Sequence, residues 1–489
     1  MYLSLTDARS EIAERSTYLR AQWNRTEVQL EVIERVWPSL SKTHQDIQTE
    51  TLGILAVKLH TARDKLNGLL KNRFDPGNVT VKGTAVRRWK YIFVKSYLDD
   101  YIKSLEKWQH MYDPSWYLII RIASPIVDTE LDRQDLTRPH ESAAIRTIAR
   151  KVRGALRSDT AQATHLALPS SCPENSRTSS IAYSSASYLQ RPGKAGLIIN
   201  SIQCATGSYA GELDKDVRAL ANKLHCADPA TFGVLRCRGF AKTKSPNGSR
   251  LVSYDLVLET QTTDTPRTLR SCLIAQEPHS LTERIELAKQ LSRSVNYVHT
   301  LDFVHKNIRP ENLIAFGLTK LGPFFLNGFD EVRSADGMSY FRGDADWAKN
   351  LYRHPDRQGL NPGERYSMQH DIYSLGVCLL EIGLWSSFVL YTGNEKNTLP
   401  NTDQFGISAE ALQKKTPNGI KRILVELARR ELPAKMGDTY EEVVINCLSC
   451  LDEDNMDFGD QSEFDDAESV AVGIRYIEKV RTMPLHMPR

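Results

Sequence analysis

The chain has 489 residues, too many for one hydrophobic core, so we expect two or three domains. It carries 63 basic and 60 acidic side chains, and this near-balance argues against wholesale nucleic-acid binding. Eight scattered cysteines favour a reducing compartment, and therefore a cytoplasmic location. No apolar run approaches the roughly 18 to 20 residues of a membrane span, and charged residues near the start argue against a signal peptide.

Residues 1–157 are predicted to be helical. Apolar residues recur at steps of three and four in three segments, which run up to Pro38, from Leu52 to Leu69, and from about Val86 to Met111. A shorter basic helix is predicted from about Ala143 to Leu156. Each apolar stripe needs a partner, so an all-α antiparallel helical bundle is the favoured arrangement.

The basic residues of this region allow a second interpretation. Such residues could hold the bundle against anionic lipid, although a charge cluster more often forms a solvated face. The residues concerned are Arg87, Arg88, Lys90, Arg150, Lys151 and Arg153. Self-association of the bundle and peripheral membrane contact are therefore kept as alternatives to a purely structural core.

A stretch rich in serine, threonine and proline follows at residues 158–188. Such a composition buries too little apolar surface to fold alone. We therefore predict a linker between the bundle and a second folded region. That region is divided into residues 189–270, which contain strand patterns, and residues 271–489, which are mainly helical.

Two apolar runs in the first of these parts are typical of strands. Leu197 to Ile199 is followed by Asn200, and Val252 to Glu259 leads into Thr260. Further along, a long helix is predicted from Thr282 to about Thr300. It delivers the chain to a polar loop.

That loop runs from Phe303 to Asn312 and contains His305-Lys306-Asn307-Ile308, then three positions, then Asn312. Three more motifs follow it in the chain. They are Leu326 to Arg333, Tyr352 to Asp356, and the apolar helix pattern that begins at His370.

In this order the motifs resemble those of the protein-kinase superfamily, whose catalytic loop reads His-Arg-Asp-Leu, three positions, then Asn. The resemblance implies a bilobal α+β kinase-like domain with a small lobe at 189–270 and a large helical lobe at 271–489. The expected fold class is therefore multidomain: an N-terminal all-α helical bundle followed by a degenerate kinase-like domain.

The resemblance implies roles for the loop residues. Asn307 stands in the position of the catalytic aspartate, with His305 and Asn312 in the same loop. Gly328 stands in the position of the metal-binding aspartate, before Phe329. A carboxamide has little basicity, so general-base assistance, typically worth about 10² to 10⁴ in rate, should be lost. Gly328 has no side-chain ligand, so we expect no metal site.

The resemblance also implies positions in the small lobe. Asn200 stands where the phosphate-binding lysine belongs, and Glu259 and Thr260 stand at the nucleotide-lining hinge. Where the glycine-rich phosphate loop is expected, only Gly193 and Gly196 occur. We therefore predict no cofactor, with ATP binding in the absence of Mg²⁺ as the weaker alternative.

Other retained residues are architectural under the same resemblance. Phe329 keeps its place beside the metal position. Asp356 is expected to anchor the activation segment through an ion pair. Asp371 is expected to accept backbone N–H groups from the catalytic loop. The replaced residues are chemical, and the retained ones are structural.

More narrowly, the chain is similar to a fungal family that joins a HeLo or HeLo-like (prion-inhibition-and-propagation) bundle to a kinase-like domain. Besides the helical stripes, segments 432–440 and 472–480 carry this resemblance. It implies a role in allorecognition, programmed cell death or signalling, parallel to the pseudokinase executioners of necroptosis. One departure is the start, Met1 to Asp7, which lacks the apolar, small-residue-rich segment of such bundles.

The expected function is a pseudokinase-type switch or scaffold. Its kinase-like domain would bind a protein partner and regulate the helical bundle. Two alternatives stay open: an active or weakly active ATP-dependent protein kinase, and a helical-bundle effector that acts on membranes. A nucleic-acid partner is not expected.

Overall fold

The computed structural model describes residues 23–71 apart from 25 and 41, and then residues 101, 105, 108, 112, 125–133, 146–147, 149–150 and 152–154. It also describes residues 166–455 apart from 169–176, 205–209, 246–250, 318–320, 332, 335–344, 361, 363–364, 393–396 and 454. The chain divides into two compact units, Met1–Arg153 and Gly154–Arg489. Each unit is described by itself.

The first unit is helical wherever long segments of it are described. Residues 26–36 form a helix that ends in a 3₁₀ turn at Trp37–Ser39, as the stop at Pro38 predicts. Helix α1 spans Lys42–Lys71 and includes the predicted second stripe. Helix α2 spans Pro125–Asp132.

Side-chain contacts join these helical segments. The indole nitrogen of Trp108 donates to the carbonyl of Thr51 in α1 at 3.0 Å, and its ring stacks on Tyr112. Arg146 donates to the carbonyl of Glu130 in α2. The complete bundle has further predicted segments outside the described residues, so its arrangement stays a prediction.

Two of the six basic residues proposed to meet lipid are engaged inside the first unit. Arg153 is buried and pairs with Asp128 through two side-chain contacts, one of them 3.0 Å long. Arg150 lies 2.7 Å from Asp132 and also donates to the carbonyl of Leu131. Arg153 is therefore withdrawn from the surface, whereas Arg150 is paired but exposed, and the other four lie outside the described residues.

The second unit begins with a six-stranded sheet. Its spatial order is β1-β5-β6-β4-β3-β2, antiparallel except for the pairing of β1 with β5. Helices α3 and α4 lie between β4 and β5 in the chain. The bounds in chain order are β1 Ala167–Leu168, β2 Arg177–Ser180, β3 Ser187–Arg191, β4 Lys194–Gln203, α3 Ala210–His225, α4 Pro229–Phe232, β5 Arg236–Lys244 and β6 Leu251–Glu259.

The predicted linker is wrong in part, because two of these strands lie within residues 158–188. Strands β1 and β2 join the sheet, and the boundary between the units falls after Arg153. Strand β2 is polar and sits at the sheet edge, where β3 supplies its backbone hydrogen bonds. An edge strand of this kind leaves no apolar pattern for sequence reasoning to detect.

The large lobe is mainly helical. Its short strands form two- and three-stranded sheets, β10-β9-β7, β11-β8 and β12-β13. The bounds are β7 Pro266–Thr268, α5 Leu269–Ala275, α6 Leu281–Thr300, β8 Phe303–Val304, β9 Leu313–Phe316, β10 Phe324–Leu326, β11 Arg333–Ser334, α7 Trp347–Asn350, α8 Met368–Leu384, β12 Val389–Thr392, β13 Asn397–Pro400, α9 Thr402–Phe405, α10 Ala409–Gln413, α11 Pro417–Met436 and α12 Asp438–Leu448.

Two long helices of this lobe position the loop between β8 and β9. Helix α6 begins at a capping box of Ser280 and Glu283 and ends just before Phe303, which agrees with the predicted helix. Helix α8 is buried along its whole length, so it runs through the core. Within the described residues, no helix has the length and apolarity needed to cross a lipid bilayer.

Candidate functional site

Asp371, on the buried helix α8, holds the loop of residues 303–312. Its two carboxylate oxygens accept the backbone N–H groups of His305 at 2.6 Å and Lys306 at 2.8 Å. Tyr366 and His299 also bond this carboxylate. Burial alone would raise the pKa of Asp371, but the hydrogen bonds hold it below its usual value. The contact predicted for Asp371 with the loop backbone is therefore present.

Asn307 and Asn312 fix the middle and the end of this loop. The side-chain nitrogen of Asn312 donates to the carbonyl of Asn307 at 2.7 Å. The side-chain nitrogen of Asn307 donates to Oδ1 of Asp330 at 2.9 Å. Burial and the nearby Glu331 raise the pKa of Asp330. Asn307, which is predicted to stand in the position of the kinase base, is therefore a hydrogen-bond donor to a carboxylate of the next motif.

Gly328, which is predicted to stand in the position of the metal-binding aspartate, is packed against Asn312. Its φ is +81°, in the left-handed region that favours glycine. A Cβ atom at this position would lie 2.2 Å from Cγ of Asn312 and 2.5 Å from its terminal atoms. A side chain of any kind, including aspartate, would therefore displace Asn312 or move the backbone.

Asn200 joins the small lobe to this segment. It is 2% exposed, and its side-chain nitrogen donates to Oδ1 of Asn327 at 2.6 Å. Its side-chain oxygen accepts the backbone N–H of Gly328 at 3.0 Å. One carboxamide thus bridges strand β4 and the residues that follow β10. The contact is neutral, whereas a lysine at this position would need a carboxylate or a phosphate.

Asp214, one of the acidic residues of helix α3, bonds to its own helix and to the sheet. Asp214 accepts hydrogen bonds from Arg218 at 2.6 Å and Tyr254 at 2.6 Å, and it lies 2.7 Å from Lys242. Burial would raise the pKa of Asp214, but Lys242, Tyr254 and Arg218 lower it to about 2. This carboxylate fastens α3 to the sheet, and Asn200 bonds to Asn327 instead.

The hinge residues bond to strand β4. The backbone N–H and the hydroxyl of Thr260 both donate to the carbonyl of Gly196, at 3.2 and 3.0 Å. Glu259 is the last residue of β6 and pairs with Leu197. The ring of Tyr188 lies against Gly196, where an added Cβ would come within 2.2 Å of it. The hinge is thus braced by protein groups on its β4 side.

The loop that joins the first two antiparallel strands of the lobe is not where sequence reasoning expected it. Gly193 lies in the turn between β3 and β4, and Gly196 lies inside β4. The connection between β2 and β3 is instead residues 181–186, which contain no glycine. The prediction of a degenerate glycine-rich loop around Lys194 is therefore wrong, because the corresponding connection lies one strand earlier, at residues 181–186.

His305 and Phe329 form a buried pair. Their ring centroids are 5.0 Å apart, and both side chains are fully buried. Burial lowers the pKa of His305 to about 4, so the imidazole is neutral at pH 7. The pair packs the loop against the segment that carries Gly328, which is a structural contribution.

Asp356 does not make the anchoring ion pair expected of it. Its carboxylate is half-exposed and lies 3.2 Å from Nδ1 of His354. Burial lowers the pKa of His354 to about 4, so this partner is neutral at pH 7. Among the described residues no arginine or lysine pairs with Asp356. Asp356 is the exposed residue of the 3₁₀ turn Pro355–Arg357, whose other two residues are buried.

A buried ionic network lies nearby, and the sequence analysis missed it. Arg270, fully buried on α5, contacts Glu311 at 3.1 Å and Glu381 at 2.7 Å. It also donates to Ser387 and Tyr352. The signal was present in the sequence, because Arg270 and Glu381 each interrupt an otherwise apolar helical segment.

Comparison with known proteins gives partial matches to protein kinases, and no protein-family model matches the chain. The chain is 30% identical over 146 residues to mouse (Mus musculus) eukaryotic translation initiation factor 2-alpha kinase 1. The match covers 28% of this chain and 22% of that kinase. The matches support a protein-kinase-like domain in this chain.

Two further relatives agree with this conclusion. The rat (Rattus norvegicus) form of the same kinase is 29% identical over 153 residues, which cover 28% of this chain and 23% of that protein. A receptor protein kinase-like protein of Arabidopsis thaliana is 25% identical over 182 residues, which cover 35% of this chain and 21% of that protein. The chain thus matches less than a quarter of the length of each relative.

Proposed function

We propose that the kinase-like domain is a pseudokinase: a signalling switch or scaffold that has exchanged phosphoryl-transfer chemistry for contacts between its own lobes. One observation carries the proposal. The carboxamide of Asn200 bonds Asn327 and Gly328, so it links the position where phosphate binding would need a cation to the position where metal binding would need a carboxylate.

The chemistry of the neighbouring positions supports the same function. Mg²⁺ takes oxygen ligands, usually carboxylates and phosphates, and Gly328 supplies no side chain. Asn200 brings no positive charge to a polyphosphate. Asn307 donates a hydrogen bond to Asp330 and has no basicity with which to activate a hydroxyl group. Mg²⁺-nucleotide binding and transfer are therefore both expected to be lost.

A thermal-unfolding titration of the full chain tests nucleotide binding. We expect no shift in Tm with ATP and none with ATP plus Mg²⁺. An active kinase provides the positive control under the same conditions. A shift that appears with ATP and grows on addition of Mg²⁺ would contradict the proposal, because it requires a phosphate contact and a metal ligand together.

A transfer assay with labelled ATP tests catalysis. The unmodified chain and the Asn307→Asp variant should both be inactive, because the aspartate restores the base but neither the lysine nor the metal ligand. Robust transfer by the unmodified chain would make it an ATP-dependent protein kinase instead.

One observation favours a weakly active phosphotransferase as the second candidate. Asp330 brings a carboxylate to within hydrogen-bonding distance of Asn307. If Asp330 serves as a displaced ligand or base, slow transfer by the unmodified chain should disappear in Asp330→Asn. The pseudokinase proposal expects no measurable transfer in either protein.

The finer biological role rests on the resemblance of the N-terminal helices to HeLo-like bundles. We propose that the kinase-like domain binds a protein partner and regulates the helical unit, in a fungal pathway of the cell-death or allorecognition type. Self-association of the helical unit and contact with a membrane belong to this proposal. Leakage from anionic vesicles tests this proposal, with the unmodified full chain and the Asn200→Ala variant added in separate experiments. Complete inertness of both proteins would count against the membrane part.

A further inference from the structure

Two elements from different lobes meet away from the loop of residues 303–312 and from Gly328. We name residues 181–186, between β2 and β3, the capping loop. We name strands β12 and β13, which form their own antiparallel pair, the ribbon. The rings of Tyr183 in the capping loop and Tyr391 in the ribbon are 4.7 Å apart at 54°. The contact is an aromatic pair of ordinary geometry.

A hydrogen bond adds to the aromatic contact. The hydroxyl of Thr268, at the start of α5, donates to the carbonyl of Ala182 at 3.0 Å. Thr268 is fully buried and also caps α5 by accepting the N–H of Ser271. The capping loop is therefore bound to the large lobe at two adjacent residues, by one hydrogen bond and one ring contact.

The capping loop is held in a specific conformation. Tyr183 has φ of +64°, a left-handed value that is unfavourable for a residue with a side chain. The N–H of Ser184 donates to the carbonyl of Ile181 at 3.0 Å, and the N–H of Ala186 bonds the hydroxyl of Ser184 at 3.2 Å. Ile181 and Ala186 are buried at the two ends. A strained residue persists where surrounding contacts over-determine it, and here those contacts include Tyr391.

The ribbon is anchored beneath Tyr391. The Tyr391 hydroxyl donates to Glu311, the residue before Asn312 in the loop of residues 303–312, which we name the central loop. Burial alone would raise the pKa of Glu311, but Arg270 and Arg309 hold this pKa below its usual value, so Glu311 stays a carboxylate. Tyr391 therefore connects the capping loop to the central loop through a charged hydrogen bond.

The base of the ribbon is fixed to the same network. Phe388, just before β12, donates its N–H to Glu381 at 2.7 Å. After β13, Asn401 bonds the carbonyls of Ser387 and Phe388 at 2.7 and 2.9 Å. Strand alternation then places Val389 in the core and leaves Leu390 exposed.

We infer that the capping loop and the ribbon form an internal latch that holds the two lobes closed at the site. It acts beside the buried Asn200 contact, which joins the lobes elsewhere. The inference rests on the proposed function in one respect, that the site works as a switch rather than as an enzyme. The latch is the part of the switch that opens, and a partner that binds either element sets its position.

The latch opens at a lower free-energy cost than the Asn200 contact. Asn200 and its partners Asn327 and Gly328 are buried, so breaking their hydrogen bonds leaves polar groups without water. Tyr183 is only half-buried, and Ala182 is exposed. Elements with few buried contacts open locally at lower free energy than the core. The latch can therefore open while the Asn200 contact stays closed.

Hydrogen–deuterium exchange on the full chain tests the latch. Tyr183→Ala removes the ring contact from the capping loop, and Tyr391→Phe keeps the ring but removes the bond to Glu311. We expect Tyr183→Ala to speed exchange at least tenfold in residues 389–392 as well as in 181–186. We expect Tyr391→Phe to speed exchange in 181–186. Leu390→Ala, at the neighbouring exposed position, is the matched control and should change neither segment.

The coupling between the two segments is the decisive readout. Unchanged exchange in 389–392 of Tyr183→Ala, together with unchanged exchange in 181–186 of Tyr391→Phe, would overturn the latch. Circular dichroism confirms that each variant is folded. Because Tyr183 lies outside the buried ionic network, its variant keeps the test valid even if Tyr391→Phe fails to fold.

Adding ATP and Mg²⁺ to Tyr183→Ala separates this inference from the proposed function. Faster exchange without nucleotide binding supports both. Faster exchange with Mg²⁺-dependent nucleotide binding supports the latch and overturns the pseudokinase proposal. Unchanged exchange without nucleotide binding overturns the latch and leaves the pseudokinase proposal standing.

Discussion

The side-chain nitrogen of Asn200 lies 2.6 Å from Oδ1 of Asn327, across 127 residues of sequence. Asn200 also accepts the N–H of Gly328, so a single carboxamide satisfies two buried groups of the opposite lobe. Phosphate and metal binding in protein kinases is ionic, whereas the contact here joins neutral protein groups. The contact is best understood as a structural joint.

Replacing Asn200 with alanine should destabilise the kinase-like domain. Asn327 and the N–H of Gly328 would each lose a buried partner, at a cost of roughly 2 to 4 kcal/mol in total. Urea denaturation followed by fluorescence measures the change. Lys194→Ala, at an exposed position of the same strand, is the control and should cost less than about 0.5 kcal/mol. Equal stability of the two variants would show that the carboxamide contact is not formed.

A side chain at Gly328 should be poorly tolerated. Gly328→Ala meets both a positive φ and an overlap with Asn312, whereas Gly193→Ala meets a positive φ in open space. The left-handed conformation costs each variant about 1 to 2 kcal/mol. The difference between their unfolding free energies therefore isolates the overlap, which we expect to add about 1 to 3 kcal/mol at Gly328. Indistinguishable losses in the two variants would contradict the packing described here.

Breaking the buried ionic network should cost more than any surface ion pair. Arg270→Met leaves Glu311 and Glu381 without their shared cation, and we expect a loss of about 3 to 5 kcal/mol. Arg430→Met removes an exposed pair with Glu431 and should cost no more than about 1 kcal/mol. Thermal and urea unfolding of both variants make the comparison. A loss near zero for Arg270→Met would mean that the carboxylates are neutral or solvated.

Stability should fall as the pH drops from about 6.5 toward 4. Burial lowers the pKa of His305 and of His354 to about 4 and that of His370 to about 3, so between these values and about 6.5 the unfolded chain binds protons that the folded chain does not. Stability is therefore full above pH 6.5 and is lost on acidification, by roughly 1.4 kcal/mol per pH unit for each histidine. Urea unfolding at pH 7, 6, 5 and 4 measures the slope.

A variant at His370 assigns that slope. His370 accepts the N–H of Ser367 through Nδ1 at 2.9 Å, which fixes the neutral tautomer. His370→Gln removes one titrating group and should make the profile less steep between pH 6.5 and 4, while the contributions of His305 and His354 remain. Asp214, whose pKa is lowered to about 2, loses its contribution only below its unfolded value near 3.8, so its effect falls outside this window.

Sequence patterns located the long elements because those elements are strongly periodic. The second helical stripe appears as α1, and the helix before the central loop appears as α6. The predicted strand that leads into Asn200 is part of β4, which continues to Gln203, and the contact of Asp371 with the loop backbone was expected. In each case a local pattern and the tertiary environment agree.

The elements that sequence patterns missed are defined by partners far away in the chain. Strand β2 is polar and exists because β3 pairs with it. Asp356 was expected to pair with a cation, but its half-exposed carboxylate contacts His354, which is neutral at pH 7. The Arg270 network depends on residues from four segments, and no spacing rule joins them. The sequence shows that Asn200 and Asn327 carry carboxamides, whereas the hydrogen bond between them can be seen only in the folded structure.

The buried network also constrains the order in which the chain can fold. Arg270 finds Glu311, Glu381 and Ser387 at sequence separations of 41, 111 and 117 residues. During synthesis, the guanidinium of Arg270 therefore cannot contact all of its partners until residue 387 has left the ribosome. Contacts of such high sequence separation slow folding. The large lobe should accordingly consolidate late and in one step, and a chain truncated before Glu381 should remain bound by chaperones.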